Sequence, residues 1–82
     1  MWILAMTDFS KIPEYTIASD VSAERDGIGI EIYQDNQLLL EVFRDDRKKR
    51  REVTLYQPAL DLELVEQAIA LFKQEIPWDF QE

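Results

Sequence analysis

The chain has 82 residues, enough for one domain with a thin core, because a chain this short buries only about 60% of the surface it exposes when unfolded. It carries 17 acids against 9 bases, a net charge of −8, yet 46% of its residues are hydrophobic, the content of a folded chain and not of a disordered one. With neither cysteine nor histidine, it is denied a disulfide, a thiolate zinc site, a cysteine nucleophile and the commonest general base and metal ligand, while its acidity repels nucleic acid and anionic lipid.

The first six residues, Met1-Trp2-Ile3-Leu4-Ala5-Met6, are apolar but lack a basic lead and run directly into Thr7-Asp8, so they do not read as a targeting peptide. Met6 is an alternative start. No apolar run reaches the length of a membrane span, so no membrane is expected as a partner. Residues 1–12 are expected to be flexible or to cover part of the domain. Tyr15-Thr16-Ile17-Ala18-Ser19 and Val21 read as a first strand, with Asp26-Gly27 turning the chain.

From Gly27 the pattern has period two, with Ile28, Ile30 and Ile32 on one side and Gly29, Glu31 and Tyr33 on the other. After Asp35-Asn36, which tolerate left-handed turn conformations, Gln37 to Phe43 alternates Leu38, Leu40 and Val42 against Leu39, Glu41 and Phe43. Keeping the isoleucines on the face of Leu38, Leu40 and Val42 requires an odd-length loop, so a three-residue turn or a bulge is expected near Asn36. If the loop is Asp35-Asn36-Gln37, Glu31 lies across from Glu41 and Phe43 over Gly29, whereas a register shifted by two separates the two carboxylates. Facing carboxylates repel, which asks for a cation, a basic residue of a partner or a raised pKa, with simple solvation as the alternative.

Asp45 to Arg51 reads as a solvated turn, and Glu52 to Gln57 as another strand with Val53 and Leu55 inward, Thr54 and Tyr56 outward. Pro58 ends it. Asp61 is a candidate N-cap for a helix over 62–75, with Leu62, Val65, Ile69, Phe72 and Ile76 as its apolar stripe, widened by Ala68. Pro77 stops the helix and leaves residues 77–82 as a tail carrying Trp78 and Phe80. The expected fold is a single α+β domain over residues 1–82, an antiparallel β-meander of three to four strands with one C-terminal helix packed on one face.

One helix covers one sheet face, so the other face, with Glu31, Tyr33, Leu39, Glu41, Phe43 and Tyr56, is the candidate protein-binding surface. Equally open is its being covered by Trp2, Ile3, Leu4 and Phe9, covered by Trp78 and Phe80, or half-solvated. Asp20, Ser22, Glu24, Asp26 and Glu31 match the oxygen-ligand spacing of a calcium loop. Arg25 stands where that loop needs glycine, however, so no metal or other cofactor is expected. Six of the nine bases, Arg44, Arg47, Lys48, Lys49, Arg50 and Arg51, form one basic island, but no aromatics are interleaved with them in sequence as nucleic-acid binding would want. The serines have no histidine or lysine partner in any known motif, and the two glycines cannot build a phosphate loop, so catalysis is not expected.

Gly29-Ile30-Glu31-Ile32-Tyr33, Glu41-Val42-Phe43-Arg44-Asp45-Asp46, Val53-Thr54-Leu55-Tyr56 and the closing helix resemble a group of small bacterial proteins of unknown function. Size, charge and layout are also similar to some immunity proteins that neutralise polymorphic toxins. The resemblance spans roughly residues 14 to 76 and implies a cytoplasmic bacterial binding protein, with no functional residue to carry over. The expected function is an acidic, non-enzymatic protein-binding module whose net charge favours a basic protein partner. The alternatives are an acidic mimic of nucleic acid, a homodimeric structural protein and, remotely, a metal-dependent function.

Overall fold

The computed structural model describes residues 8–81, so the roles considered for Trp2, Ile3 and Leu4 lie outside the described residues. Strands β1 (Glu14–Val21), β2 (Asp26–Gln34), β3 (Gln37–Asp45) and β4 (Arg50–Leu55) precede helix α1 (Leu62–Glu75). The strands form one antiparallel sheet in the order β1-β2-β3-β4. The expected α+β meander with a C-terminal helix is observed, with four strands.

Each turn follows from its residues. Ser22 closes the first hairpin, donating its N–H to the Arg25 carbonyl (2.8 Å) while its Oγ accepts from the Glu24 and Arg25 N–H groups. Asp35 and Asn36 both take positive φ, 53° and 65°, giving a two-residue turn whose twist matches the strands it joins. The expected odd offset comes from a bulge instead of a longer loop: the register shifts between Ile32, paired with Leu40, and Tyr33, paired with Leu38. Leu39 is the extra residue. This corrects the sequence reading of Leu38, which now shares a cross-strand pair with Tyr33 and not the face of Leu40 and Val42.

The third turn is shorter than expected. Residues 46–49 form it, and Asp45, Arg50 and Arg51 belong to the strands, with Asp45 paired to Arg50 and Arg44 to Arg51. The Asp45 Oδ1 organises it by accepting from the N–H groups of Arg47 (3.1 Å) and Lys48 (3.2 Å).

Asp61 caps α1 as expected, its carboxylate accepting the Glu63 N–H at 3.1 Å. The helix lies over β2 and β3 and makes no close backbone approach to β1 or β4. Its buried residues are Leu64, Ala68, Leu71 and Phe72, which pack with Ile76, Ile30, Ile32, Leu39, Leu40 and Val42, flanked by Phe9, Ile12, Ile28 and Leu60. The stripe expected from Leu62, Val65 and Ile69 is therefore rotated. Ala68 is fully buried at the middle of the contact, where a small side chain lets the helix approach the sheet closely. Val53 and Leu55, read from sequence as core, stay exposed because nothing from α1 reaches β4.

Candidate interaction surface

On the sheet face away from the helix, one side chain covers Phe43 and Glu41. Arg25, at the end of the first hairpin loop, folds back so that its guanidinium carbon lies 3.8 Å from the centroid of the Phe43 ring. Its Nη1 and Nη2 donate to the two Glu41 carboxylate oxygens at 2.9 and 2.7 Å, and its Nε donates to Asp20 at 2.7 Å. A two-pronged, charge-assisted pairing of this kind fixes both groups in a plane. The hydrogen bond to Glu41 leads in holding the Arg25 pKa above its ordinary value, against the opposing effect of burial.

This arrangement resolves the facing carboxylates. Glu31 and Glu41 are cross-strand partners, one of the registers that the sequence left open. Arg25 neutralises Glu41, and the Tyr33 hydroxyl donates to Glu31 at 3.0 Å. That bond to a carboxylate pushes the Tyr33 phenol up from its ordinary pKa. Beneath Arg25, the Phe43 ring lies on Gly29, where an added Cβ would stand 2.9 Å from the ring. Only glycine leaves room for that contact.

The six residues proposed from sequence for protein binding thus separate. Phe43 is 1% exposed, and Glu41 and Leu39 are also buried, Phe43 and Glu41 by Arg25 and Leu39 by its place in the bulge beside the core. Tyr33 and Glu31 are partly accessible, and Tyr56 is exposed. Neither Phe9 nor the tail covers this face. Phe9 packs at the margin of the helix-side core, and the Pro77 and Trp78 carbonyls accept from Arg44 (2.6 Å) and Arg51 (2.7 Å), a cross-strand pair.

The calcium-loop spacing does not gather ligands. Asp20 is held by Arg25, Ser22 caps its own turn and Glu31 accepts from Tyr33; among the described residues no three acidic side chains converge.

An apolar opening lies on the helix side, between α1 and β4. Val53 and Leu55 alternate with Thr54 along β4 and point to that side, with Leu55 52% exposed. Across the opening, Leu62, Val65, Ile69 and Lys73 follow one another at helical spacing, and Leu62 is 65% exposed. Lys73 locates this flank, because its ammonium is 5.6 Å from the Trp78 ring, and Trp78 in turn stacks on Arg51 of β4 at 3.7 Å. Gln67, on the opposite flank, accepts the Lys11 N–H at 2.7 Å. The groove ends in an open hollow of about 310 Å³ lined by Lys73 and Trp78.

Aromatic groups do meet the basic island in space. Arg51 contacts both the Trp78 ring and the Phe80 ring (4.2 Å), which are 27 and 29 positions away in sequence and were invisible to a search for interleaving. The tail is further tied by the Gln81 N–H donating to Asp46 at 3.0 Å, while Asp46 also receives Arg44. Arg25, Val53, Leu55 and Leu62 are the residues the sequence did not assign to the surface. No protein family, curated protein or solved structure matches this chain.

Proposed function

We propose that this chain is a non-enzymatic protein-binding module that docks a partner in the groove between β4 and α1. The observation that carries this is the apolar pair Val53 and Leu55 left open opposite Leu62 in a domain small enough that burying them would add substantially to its stability. Each such side chain is worth roughly 1.5–3 kcal/mol when fully buried. The tyrosines Tyr33 and Tyr56 extend the contact around the end of the sheet.

Charge supports a basic partner. The chain carries −8 overall, and Glu63 and Glu66 lie on the first turns of α1 beside Leu62, while Arg51 and Lys73 mark the other end of the groove. A partner segment with an apolar ridge and basic flanks would be drawn by the body charge and oriented by that asymmetry. A toxin-neutralising role falls within this class, and the absence of cysteine fits work in a reducing cytoplasm. Acidic mimicry of nucleic acid has less support, because the exposed groove is apolar at its centre.

The test uses the chain as bait in an extract of its source cell, beside a Val53→Asp, Leu55→Asp variant and a Tyr33→Ala variant. A partner recovered by wild type should be lost with the groove variant and retained, at worst weakened about tenfold, with Tyr33→Ala. With purified partner, binding should show a negative heat-capacity change and slower association as salt rises. Equal recovery by wild type and the groove variant would refute the assignment.

A further inference from the structure

We propose that this chain pairs with a second copy of itself through strand β1, joining two sheets into one continuous antiparallel sheet of eight strands. This lies at the sheet edge opposite the β4 groove and does not rest on the function proposed there.

The backbone supplies the first reason. The Ser22 N–H bond to the Arg25 carbonyl fixes the alternation of the first hairpin, so even-numbered residues of β1 bond to β2. Tyr15, Ile17, Ser19 and Val21 therefore direct their N–H and C=O groups outward, and among the described residues those groups take no partner. Unpaired backbone at a sheet edge is a template for another strand.

Among the described residues, moreover, no device blunts this edge. Between Glu14 and Asp20 the strand reads Tyr-Thr-Ile-Ala-Ser, with no charge, proline or bulge, and β1 is longer than β4, which is lined by Arg50, Arg51 and Glu52. Its helix-side row is Tyr15, Ile17, Ser19 and Val21; Tyr15 and Ile17 are exposed, and Val21 is 77% exposed. Apolar side chains this open, in line with free backbone groups, suit a strand laid alongside.

The third reason identifies the occupant. Two antiparallel copies of β1 related by a two-fold axis at Ala18 pair Tyr15 with Val21, Thr16 with Asp20 and Ile17 with Ser19 of the other copy, while Glu14 meets Ser22. No like charges face each other, and Asp20 is already neutralised within its own chain by Arg25. All four outward residues of each strand find partners in this register, for about eight new backbone hydrogen bonds. Moving the axis to Ile17 sets Glu14 against Asp20 and leaves Val21 unpaired, so charge selects the first register. The sequence of β1 is complementary to its own reverse.

The register places the two Ala18 residues at a non-hydrogen-bonded pair, with Cα atoms about 4.5 Å apart, within disulfide range. The chain has no native cysteine, so a single Ala18→Cys variant reports on this contact cleanly. Sedimentation equilibrium at about 0.1 mM should give twice the monomer mass for wild type, and Ile17→Lys and Ser19→Lys should each give monomers. Ala18→Cys should cross-link on mild oxidation at least about tenfold faster than Thr54→Cys on the other edge. Ser19→Lys alters an exposed polar site, so it remains informative if Ile17→Lys fails to fold. A monomeric wild type, a dimer that survives Ser19→Lys, or equal cross-linking from the two cysteine positions would overturn the proposal.

Discussion

Arg25 shows how one side chain can do the work of a layer. Its guanidinium covers the Phe43 ring and neutralises Glu41, whose side chain is 5% exposed. Removing it should leave a buried carboxylate without its partner, so Arg25→Met is expected to lower stability by about 2–3 kcal/mol in urea unfolding. Adding Glu41→Gln should recover part of that loss, because a neutral amide is less costly to bury than an unpaired charge. Lysine at position 25 should rescue poorly, lacking the planar fork that meets two oxygens and a ring together. Equal stability of Arg25→Met and wild type would contradict this role.

Asp45 and Asp46 form a second residue-scale case. Burial pushes the fully buried Asp45 carboxyl up, but the N–H groups of Lys48, Asp26 and Arg47, with the Lys48 ammonium, outweigh it and hold the pKa below the ordinary carboxylate value. Burial also pushes Asp46 up, and Arg44 and the Gln81 N–H bring it down. A folded pKa below the unfolded value of about 3.9 stabilises above that pH and is lost as pH falls toward the folded value. Acidification also relieves the repulsion of a net −8 chain, an effect of opposite sign. The Asp46→Asn variant separates the two: its urea midpoint should fall less steeply than that of wild type below about pH 4.

At the scale of elements, the limits of α1, its Asp61 cap and the alternation that admits Glu31 opposite Glu41 were legible, because capping chemistry and period-two alternation are local. The rotation of the helix was not. Its apolar positions span more than one face, so Leu62, Val65 and Ile69 and the buried Leu64, Ala68 and Leu71 both satisfy helical spacing. Only the width of the sheet decides between them, and the helix meets its two central strands alone. Leu64→Ala is accordingly expected to cost about 2–5 kcal/mol, and Leu62→Ala less than about 0.5 kcal/mol, measured by thermal or urea unfolding. The reverse order would restore the stripe read from sequence. The stack of Trp78 and Phe80 on Arg51 was hidden for a different reason, since it joins residues far apart in the chain through contacts that no local pattern encodes.

The whole molecule is a four-stranded sheet with its faces treated differently, one covered over its central strands by a helix and the other carrying a charged clasp over a single aromatic ring. That division moves the apolar contact surface away from the second sheet face and onto the margins of the first. In the function we propose, the acidic body would set long-range attraction to a basic partner, and the groove and the β1 edge would supply the short-range contacts. The acidic charge, the antiparallel meander and the single helix follow from composition and pattern, whereas the cover over Phe43 depends on Arg25 reaching across the sheet, which sequence separation conceals. Hydroxyl-radical footprinting of the isolated protein tests the division most directly. Leu62 and Leu55 should be modified rapidly and Phe43 protected to the level of Phe72; rapid modification of Phe43 with protection of Leu55 would contradict the account.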